Sequence, residues 1–517
     1  MEQARILWVD DEIDMLKPHI IFLEQKDYLV DTSNNGDEAL DMISPGKYDI
    51  IFLDEQMPGL SGIETLERIK EKYPNLPVVM ITKSEEESIM EDAIGSKIAD
   101  YLIKPVNPKQ ILLCLKKNLQ TKKLVSEKAT FNYQQEFRKI GMDISGNLNA
   151  AEWIEVYRRL TRWEIELEKS NDPGIIQVLN MQREEANQVF VKFMMKNYAG
   201  WIAGSTTDRP VLSPMLFREK VFPLLDKQGP VFVILIDNLR FDQWKTIEPL
   251  IGEFYNTDKE EMYYSILPTT TQYARNSIFS GLMPLEIDRR YPDYWVSEND
   301  DASKNQFEGE LLGEQLKRFG KNLKYSYHKI LNLEAGRKLH ENMPNLLSND
   351  LNVIVYNFVD MLSHARTEME IIRELADDEP AYRSLMLSWF EHSSLFDIIR
   401  FLSDKQMPLV ITTDHGSVRV QNPVKIIGDR NTNTNLRYKT GKNLNFNQKD
   451  VFEVKNPHDI HLPKSNVSSN FVFCTGNDFF AYPNNYNHYV KYYRNTFQHG
   501  GVSIEEVLIP VITLQPK

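Results

Sequence analysis

Acidic and imidazole side chains follow buried apolar runs in the second half of this 517-residue chain. The runs VFVILID (231–237), NVIVYNFVD (352–360) and PLVITTDHG (408–416) predict buried strands, each ending in a carboxylate. Ligands of open α/β sheets gather at the carboxyl edge, so these groups are expected to meet there. The candidate set is Asp237, Thr271, Asp360, His364, Asp414, His415 and His499. Six metal-binding side chains and one hydroxyl predict a two-metal phosphoryl-transfer enzyme.

The spacing within this set favours one site. Asp360 and His364 are four residues apart, so on a helix starting in VDMLSHAR both would project to the same side. Asp414 and His415 are neighbours in a turn after a strand, and the two glycines after His499 permit a sharp loop back to the sheet. Imidazole and carboxylate without cysteine predict Zn²⁺ or Mn²⁺ in a hydrolytic site.

Two further residues complete the predicted chemistry. Thr271, in LPTTTQYARNSIFSG, is the expected nucleophile, because a metal ion would acidify its hydroxyl for attack on phosphorus. Arg275 is expected one helical turn later, where it would hold a non-bridging oxygen. His488 is the rival third imidazole, but no glycine turn accompanies it. Surface or core roles are expected for His328, His340, His392, His458, His461 and His488.

The segment from Arg419 to Lys464 is basic and rich in asparagine. It holds nine Lys or Arg and four Asp or Glu, within a chain that is otherwise acidic. A lid that gathers an anionic substrate and a solvated loop both fit this composition. Arg437 and Lys439 are the first candidates for substrate binding.

A second set of reactive groups lies in residues 1–120. The runs ILWVD, IIFLEQK, YDIIFLD, LPVVMITK and DYLIKP alternate with amphipathic stretches, and they predict a doubly wound parallel sheet of five strands. Four of the strands end at Asp10 and Asp11, Asp54, Thr82 and Lys104, so one sheet edge should collect these side chains. Such a carboxylate cluster needs a hard cation, which would prepare Asp54 as a nucleophile.

This segment resembles the receiver domain of two-component response regulators, with VDDE, LDEQMPG and Lys104 before Pro105 in order. The resemblance implies that Asp54 is the phosphoacceptor and that Thr82, Tyr101 and Lys104 form the switch. It also implies one Mg²⁺, held by Asp10, Asp11, Asp54 and the Gln56 carbonyl. A cis bond before Pro105 would aim Lys104 inward. Phosphorylation of Asp54 is expected to promote a symmetric homodimer.

Strand signals vanish between residues 121 and 205. NAAEWIEVYRRLTRWEIELEK carries apolar residues at spacings of three and four after a capping Asn149, and a second helix opens at Pro173. The pattern predicts a small helical bundle whose methionine and aromatic residues are packed core. A stiff connector of this kind would transmit a change in receiver pairing to the domain at 206–517.

Net charge, cysteine content and the length of apolar runs exclude several classes of protein. A formal net charge of −14 argues against sequence-blind binding to duplex DNA. Cys114 and Cys474 are far apart, which excludes a disulfide framework and a cysteine-rich zinc knuckle. No apolar run reaches the roughly 18 residues of a membrane span, and the N-terminus lacks the order of a signal peptide. We therefore expect a cytoplasmic protein without membrane insertion.

Most of residues 206–517 resembles the alkaline phosphatase superfamily and, within it, the PglZ domain. The resemblance implies two Zn²⁺ ions, one held by Asp360, His364 and His499, the other by Asp237, Asp414 and His415 with Thr271. A threonine nucleophile in a PTTT context resembles nucleotide phosphodiesterases, whereas an arginine clamp suits a monoester. We expect a zinc-dependent phosphodiesterase acting on nucleotide or oligonucleotide phosphates, with a phosphomonoesterase or phosphomutase as the alternative.

The order of domains resembles response regulators of Bacteroidetes-type bacteria that end in a PglZ domain. That resemblance implies phosphorylation by a PorY-like sensor histidine kinase, control of type IX secretion and contact with an extracytoplasmic-function sigma factor. A regulator that only binds such a partner, with an incidental metal site, is the alternative of a different class.

Overall fold

The computed structural model describes residues 3–44, 47–74, 76–83, 98–115, 117–118, 121–168, 172–297, 303–376, 378–428, 432–464 and 469–517. The chain folds into two compact units, residues 1–133 with 169–171 and residues 134–168 with 172–517. The division falls inside helix α5 (Thr121–Ser145). Helices of the predicted connector therefore share a unit with the C-terminal α/β domain.

The first unit contains the predicted doubly wound sheet, with its five parallel strands in the order β2-β1-β3-β4-β5. Alternate residues of β1 enter two apolar cores, Leu7 and Val9 on one face and Ile6 and Trp8 on the other. The prediction of IIFLEQK as the second strand is wrong, because this segment lies largely in a helix and the second strand is LVDTS. The elements are β1 (Arg5–Val9), α1 (Lys17–Glu24), β2 (Leu29–Ser33), α2 (Gly36–Met42), β3 (Ile50–Asp54), α3 (Gly62–Lys72), β4 (Val78–Thr82), β5 (Asp100–Ile103) and α4 (Pro108–Leu115).

Two long helices, α6 (Ala150–Glu168) and α7 (Pro173–Ala203), are called the linker helices below. The Asn149 side chain accepts a hydrogen bond from the Glu152 amide, as the capping prediction requires. The aromatic stripe is packed core, as predicted: the Trp153 ring lies 5.2 Å from Phe190. Trp201 packs 5.3 Å from Tyr264 of the C-terminal sheet, so the linker helices and that sheet share a core. Across the described part of the chain, no helix is long and apolar enough to cross a bilayer.

A six-stranded sheet organises the C-terminal domain, in the order β7-β18-β10-β6-β9-β8. Strands β10, β6, β9 and β8 run parallel to one another. Strand β18 pairs antiparallel with both β10 and β7. The strands are β6 (Val231–Ile236), β7 (Tyr255–Tyr264), β8 (Tyr325–Ile330), β9 (Leu351–Tyr356), β10 (Leu409–Thr412) and β18 (Leu508–Pro516). The three predicted buried strands are present, but β9 ends at Tyr356, so Asp360 lies in the following helix and not at the strand end.

Helices accompany this sheet in the C-terminal domain. They are α8 (Phe222–Gln228), α9 (Phe241–Ile251), α10 (Asn276–Ser280), α11 (Pro284–Arg290), α12 (Glu308–Arg318), α13 (Leu333–Leu346), α14 (Phe358–Glu368), α15 (Glu370–Leu375), α16 (Glu379–Glu391), α17 (Ser394–Asp404), α18 (Tyr486–Tyr493) and α19 (Ile504–Val507). The mixed α/β class predicted for this domain is confirmed.

The described residues of the basic, asparagine-rich segment are folded and do not form a solvated loop. It contributes to small sheets made of β11 (Val418–Arg419), β12 (Asn422–Lys425), β13 (Tyr438–Gly441), β14 (Val451–Val454), β15 (Asn470–Cys474), β16 (Asp478–Ala481) and β17 (Phe497–Gln498). These sheets enclose a core that includes Val424, Ile426 and Phe480. Part of the positive charge therefore belongs to a folded β subdomain.

Candidate metal centre and phosphorylation site

Three metal-binding side chains, called the Asp360 group, are Asp360, His364 and His499, and their ligand atoms lie within 4.8 Å of one another. Helix α14 presents Asp360 and His364 one turn apart on the same side. His364 Nε2 lies 3.5 Å from Asp360 Oδ2, and His499 Nε2 lies 3.4 Å from Asp360 Oδ1. The carboxylate thus stands between two imidazoles, a donor set that suits zinc.

The Asp237 group contains Asp237, Asp414 and His415, all with 0% exposure and with ligand atoms within 4.8 Å of one another. Asp237 directly follows β6, while Asp414 and His415 follow closely on its neighbour β10. Parallel strands end at the same edge, which is why residues 177 positions apart meet. His415 Nε2 lies 3.6 Å from Asp237 Oδ1 and 3.8 Å from Asp414 Oδ2.

The two groups adjoin, and the predicted nucleophile lies beside them. The rings of His415 and His499 stack with centroids 4.2 Å apart. Thr271 Oγ1 is 3.2 Å from His415 Nε2, and the Thr271 residue remains partly exposed. Thr271 opens a helical turn rather than following a strand. The described structure therefore brings all seven residues of the predicted set together.

Backbone carbonyls orient the two stacked imidazoles. His415 Nδ1 lies 3.1 Å from the Gly416 oxygen, and His499 Nδ1 lies 3.3 Å from the Thr269 oxygen. A carbonyl only accepts, so Nδ1 carries a hydrogen, and each Nε2 faces carboxylate oxygens. Burial, reinforced by His415, lowers the pKa of His499 to about 3, which keeps the ring neutral.

Buried acceptors that face one another need a cation or a proton between them. Asp237 Oδ1 is buried and has no hydrogen-bond donor among the described residues. The Nε2 atom of the neutral His499 ring also points at a carboxylate without a proton to share. These contacts fit divalent ions in both groups, because zinc accepts lone pairs from imidazole and carboxylate together.

The role predicted for Arg275 is wrong. Its guanidinium is 0% exposed, pairs with Asp237, and places Nε 2.9 Å from Asp414 Oδ2 and Nη1 3.6 Å from Glu308. Carboxylates therefore occupy the positions where a substrate oxygen was expected. Burial raises the pKa of Asp237 well above its usual range despite Arg275, whereas Arg275 and His415 overcome burial and lower the pKa of Asp414 to about 2.

Arg437 does not reach a substrate surface, so its predicted binding role is also wrong. It is 0% exposed, with Nη2 2.6 Å and Nε 3.2 Å from the two carboxylate oxygens of Glu506. Glu506 Oε1 accepts a hydrogen bond of 2.9 Å from the Gly501 amide. A Cβ on Gly501 would lie 2.7 Å from Arg437 Nη2, so this close approach requires glycine. Arg437 supports the turn that follows His499.

Lys439, the other predicted substrate-binding residue, is 1% exposed. Its Nζ donates to the Asn433 carbonyl at 2.8 Å and lies 4.8 Å from the centre of the Tyr482 ring. The prediction is wrong because β13 points the side chain into the β subdomain. Composition alone cannot separate buried cations from a surface patch.

The sequence predictions missed two residues that support the turn at His499. Thr269 holds the turn at His499, since its Oγ1 accepts from the Gly500 amide at 3.0 Å and donates to the Gly501 carbonyl at 3.0 Å. Glu506 binds the Gly501 amide. Two sequence features point to these residues. Thr269 belongs to the run TTT in an otherwise buried segment, and Glu506 follows Ser503 by three residues, which is a helix-capping pattern.

The first unit has its own carboxylate group, Asp10, Asp11 and Asp54, with ligand atoms within 4.8 Å of one another. Lys104 Nζ lies 2.9 Å from Asp10 Oδ2 and 3.0 Å from Asp54 Oδ2. Burial raises the pKa of Asp54, although Lys104 opposes the shift. The bond between Lys104 and Pro105 is cis. This arrangement fits a hard cation beside a reactive carboxylate.

The remaining residues predicted for the receiver site lie on β4, on β5 and in the loop after β3. Thr82 Oγ1 donates to Glu55 Oε2 at 2.6 Å, and Tyr101 is 40% exposed at the edge strand β5. Gln56 lies in the loop after β3, two residues beyond Asp54. Lys83 reaches 3.6 Å from Glu12 rather than the carboxylate group.

Comparison with family models decides the identity of the C-terminal domain. Residues 216–514, more than half of the chain, match the BREX system PglZ alkaline phosphatase-like domain. The chain belongs to the PglZ family. Residues 6–116 match the response regulator receiver domain, and residues 123–202 match the PorX response regulator linker domain. The order of receiver, linker and PglZ domain is that of PorX-like response regulators, as the motifs predicted.

Individual relatives cover a smaller part of this PglZ protein. The transcriptional regulatory protein ResD of Bacillus subtilis (strain 168) is 36% identical over 114 residues, which are 22% of this chain and 47% of ResD. AlgB of Pseudomonas aeruginosa is 30% identical over 24% of this chain and 28% of its own. A two-component response regulator from Clostridium difficile is 31% identical, covers 23% of this chain and 97% of its own, and has a TM-score of 0.22. The chain thus spans less than half the length of these two curated relatives.

Proposed function

We propose that this response regulator has a zinc-dependent phosphodiesterase as its output, acting on nucleotide or oligonucleotide phosphates. The position of Thr271 carries the proposal, because its hydroxyl lies 3.2 Å from His415 Nε2 where the two metal-binding groups adjoin. The PglZ family is alkaline phosphatase-like, which supports a phosphoesterase-type enzyme. Its diester preference and zinc dependence belong to the proposal.

In the proposed reaction, the Thr271 hydroxyl releases its proton to solvent, and its oxygen forms a bond to phosphorus as the bond to the leaving alcohol breaks. The leaving oxygen takes a proton from solvent, and water then hydrolyses the threonyl phosphodiester and restores the hydroxyl. The Gly416 carbonyl accepts the Nδ1 hydrogen of His415 and so turns Nε2 towards Thr271. Partial exposure of Thr271 leaves a route for in-line attack.

Zinc ions bound by the Asp360 group and by the Asp237 group with Thr271 would acidify the hydroxyl and neutralise the phosphoryl oxygens. The protein contributes their positions. Arg275 fixes the two buried carboxylates Asp237 and Asp414, and Thr269 fixes the imidazole of His499. Such outer contacts keep ligands in place when the charge at phosphorus changes.

A diester substrate is favoured by the position of Arg275. A dianionic monoester has one more negative oxygen to neutralise, and an exposed arginine would serve that purpose. Arg275 instead donates hydrogen bonds to Asp414 and Asn357, forms an ion pair with Asp237 and has no exposed surface. The main reason to prefer the phosphomonoesterase or phosphomutase alternative is therefore removed.

A nucleotide substrate is supported by the surface beside His364. Met361 precedes His364 by three residues, about 60° around the same helix, and is 49% exposed. Phe358, a turn earlier, stacks its ring on Trp389 at 3.4 Å with an angle of 4°. Both aromatic residues are partly exposed, and we propose that the base of a nucleotide substrate packs against this apolar surface.

Control by phosphorylation completes the proposal. The receiver domain implies a phosphorylating sensor kinase, and we propose a PorY-like one. One Mg²⁺ held by Asp10, Asp11, Asp54 and the Gln56 carbonyl would prepare Asp54, and phosphorylation would favour a homodimer. The link to type IX secretion and to a sigma factor is also proposed, supported by the match to the PorX linker.

The test measures zinc by mass spectrometry and hydrolysis of bis-nitrophenyl phosphate in full-length wild type, Thr271→Val and Thr271→Ser. We expect about two zinc ions per chain in all three, turnover in wild type and serine variants, and none in the valine variant. Faster cleavage of nitrophenyl phosphate would favour the monoesterase. Full cellular output from Thr271→Val would favour a regulator that works by binding a partner.

A further inference from the structure

Helix α16 contacts both a linker helix and the segments that carry the Asp360 group. Its adjacent residues Tyr382 and Arg383 are 0% and 3% exposed. Neither touches the Thr271 hydroxyl or takes a part in the proposed chemistry. Both nonetheless hold buried polar contacts that cross between separate parts of the unit.

Arg383 ties helix α16 to the linker. Its Nη1 lies 2.7 Å from Glu164 Oε1, and its Nη2 lies 2.9 Å from Glu168 Oε2, both on α6. Asp242 of α9 approaches the same guanidinium at 2.8 Å. Arg183 of α7 adds a contact of 3.1 Å to Glu164. Separating this buried guanidinium from its three carboxylates would leave buried charges unpaired. Helix α16 is therefore expected to move together with α6.

Tyr382 ties the same helix to the Asp360 group. Its hydroxyl donates to the Val359 carbonyl at 3.3 Å, and Val359 immediately precedes Asp360. Its ring stacks on Phe497 at 4.2 Å, two residues before His499. One side chain therefore contacts both segments whose separation determines whether Asp360 and His499 can share an ion.

We propose that Tyr382 and Arg383 are positioning residues through which linker helix α6 sets the separation of Asp360 and His499. The inference rests on the proposed function, since it concerns affinity for one of the two zinc ions. Zinc requires ligands near 2.0–2.2 Å, so a helix shift of about 1 Å would weaken that site. Asp237 and Asp414 follow central strands β6 and β10 and would move less.

The first test removes one oxygen with Tyr382→Phe in the full-length protein, keeping the ring that stacks on Phe497. Tyr255→Phe is the control, because the Tyr255 hydroxyl also donates to a buried carbonyl, that of Met407, at 3.0 Å. We expect Tyr382→Phe to raise the zinc concentration for half-maximal hydrolysis about tenfold with KM unchanged. The control should keep the wild-type zinc dependence.

The second test cuts the linker side with Glu164→Gln and Glu168→Gln together. Its control, Glu260→Gln, cuts a different contact of α6, since Arg158 Nη1 lies 2.7 Å from Glu260 Oε1. In competition with a chelator, the double variant should bind one of its two zinc ions more weakly than wild type, and the control should bind both as wild type does. Excess zinc should restore turnover of the double variant.

Two results would overturn the inference while the proposed function stands. One is wild-type zinc dependence in both test variants. The other is a lower melting temperature of the chelated protein with no change in zinc affinity, which would mean a purely structural role. Wild-type protein without zinc or turnover would overturn the proposed function itself, and this inference with it.

Discussion

Replacing Arg437 by methionine is expected to destabilise the C-terminal unit without changing substrate affinity. Both side chains of the Arg437–Glu506 pair are 0% exposed, so the change leaves a buried carboxylate without its cation. Removing one partner of a buried pair costs about 3–5 kcal/mol. The carbonyls of Gly476 and Asp478 lose a donor as well, at about 1 kcal/mol each. The total of about 5–7 kcal/mol corresponds to a melting temperature lower by roughly 6–9 °C, at an unfolding entropy of about 2.1 cal/mol/K per residue for a unit of this size.

Scanning calorimetry and KM for bis-nitrophenyl phosphate, both on full-length protein with added zinc, check this expectation. Lys442→Met is the control, because Lys442 belongs to the same basic segment but is exposed. It should change neither quantity. A tenfold higher KM with an unchanged melting temperature for Arg437→Met would refute the structural role and restore the substrate-binding hypothesis.

Three further expectations follow from the two sites. Thr271→Val should lower turnover at least about 10³-fold without loss of zinc, whereas Thr271→Ser should retain turnover; steady-state kinetics and metal analysis test this, and activity indifferent to Thr271 would contradict it. Wild type treated with beryllofluoride and Mg²⁺ should double its mass in light scattering, and Asp54→Asn should not; an unchanged wild-type mass would exclude the dimer. Burial lowers the pKa of His499 from 6.5 to about 3, so between these values the unfolded chain binds this proton more readily. The stability of chelated protein should therefore fall as the pH falls from 6.5 towards 3, and His499→Ala should flatten that slope in urea titrations.

Much of the site follows from the sequence because strand ends are visible in it. The uninterrupted apolar run before Asp237 gives a fully buried strand, and so does the run before Asp414. A parallel sheet then places both residues at one edge. The four-residue spacing of Asp360 and His364 likewise gives one helical face. Local patterns suffice where a residue's position depends on its own element.

The end of β9 shows where such patterns fail. Phe358 and Val359 extend the apolar run, so hydrophobicity cannot distinguish the strand end at Tyr356 from the helix that starts two residues later. The sequence predicted the wrong roles for two buried arginines for another reason. Arg275 pairs with Asp414, 139 residues away, and Arg437 pairs with Glu506, 69 residues away. Only tertiary structure shows that these charges are buried and paired.

The charge of the catalytic centre leads to a last prediction. With all three carboxylates ionised, as zinc binding would require, Asp237, Asp360 and Asp414 together with Arg275 carry a formal charge of about two negative units, and His499 adds none. They should repel an anionic phosphate. Two Zn²⁺ ions would reverse the charge to about two positive units, so zinc is expected to be needed for binding as well as for chemistry.

Calorimetric titration with vanadate separates these two roles. Vanadate should bind the zinc-loaded protein and should bind the chelated protein at least about a hundredfold more weakly, since one unit charge at 4 Å already contributes several kcal/mol in a partly buried site. Thr271→Val should show the same zinc requirement, because it lacks the nucleophile but keeps the six imidazole and carboxylate ligands. Equal affinity in the presence of chelator would mean that the protein's own cations bind the phosphoryl group, and would reopen the case for Arg275.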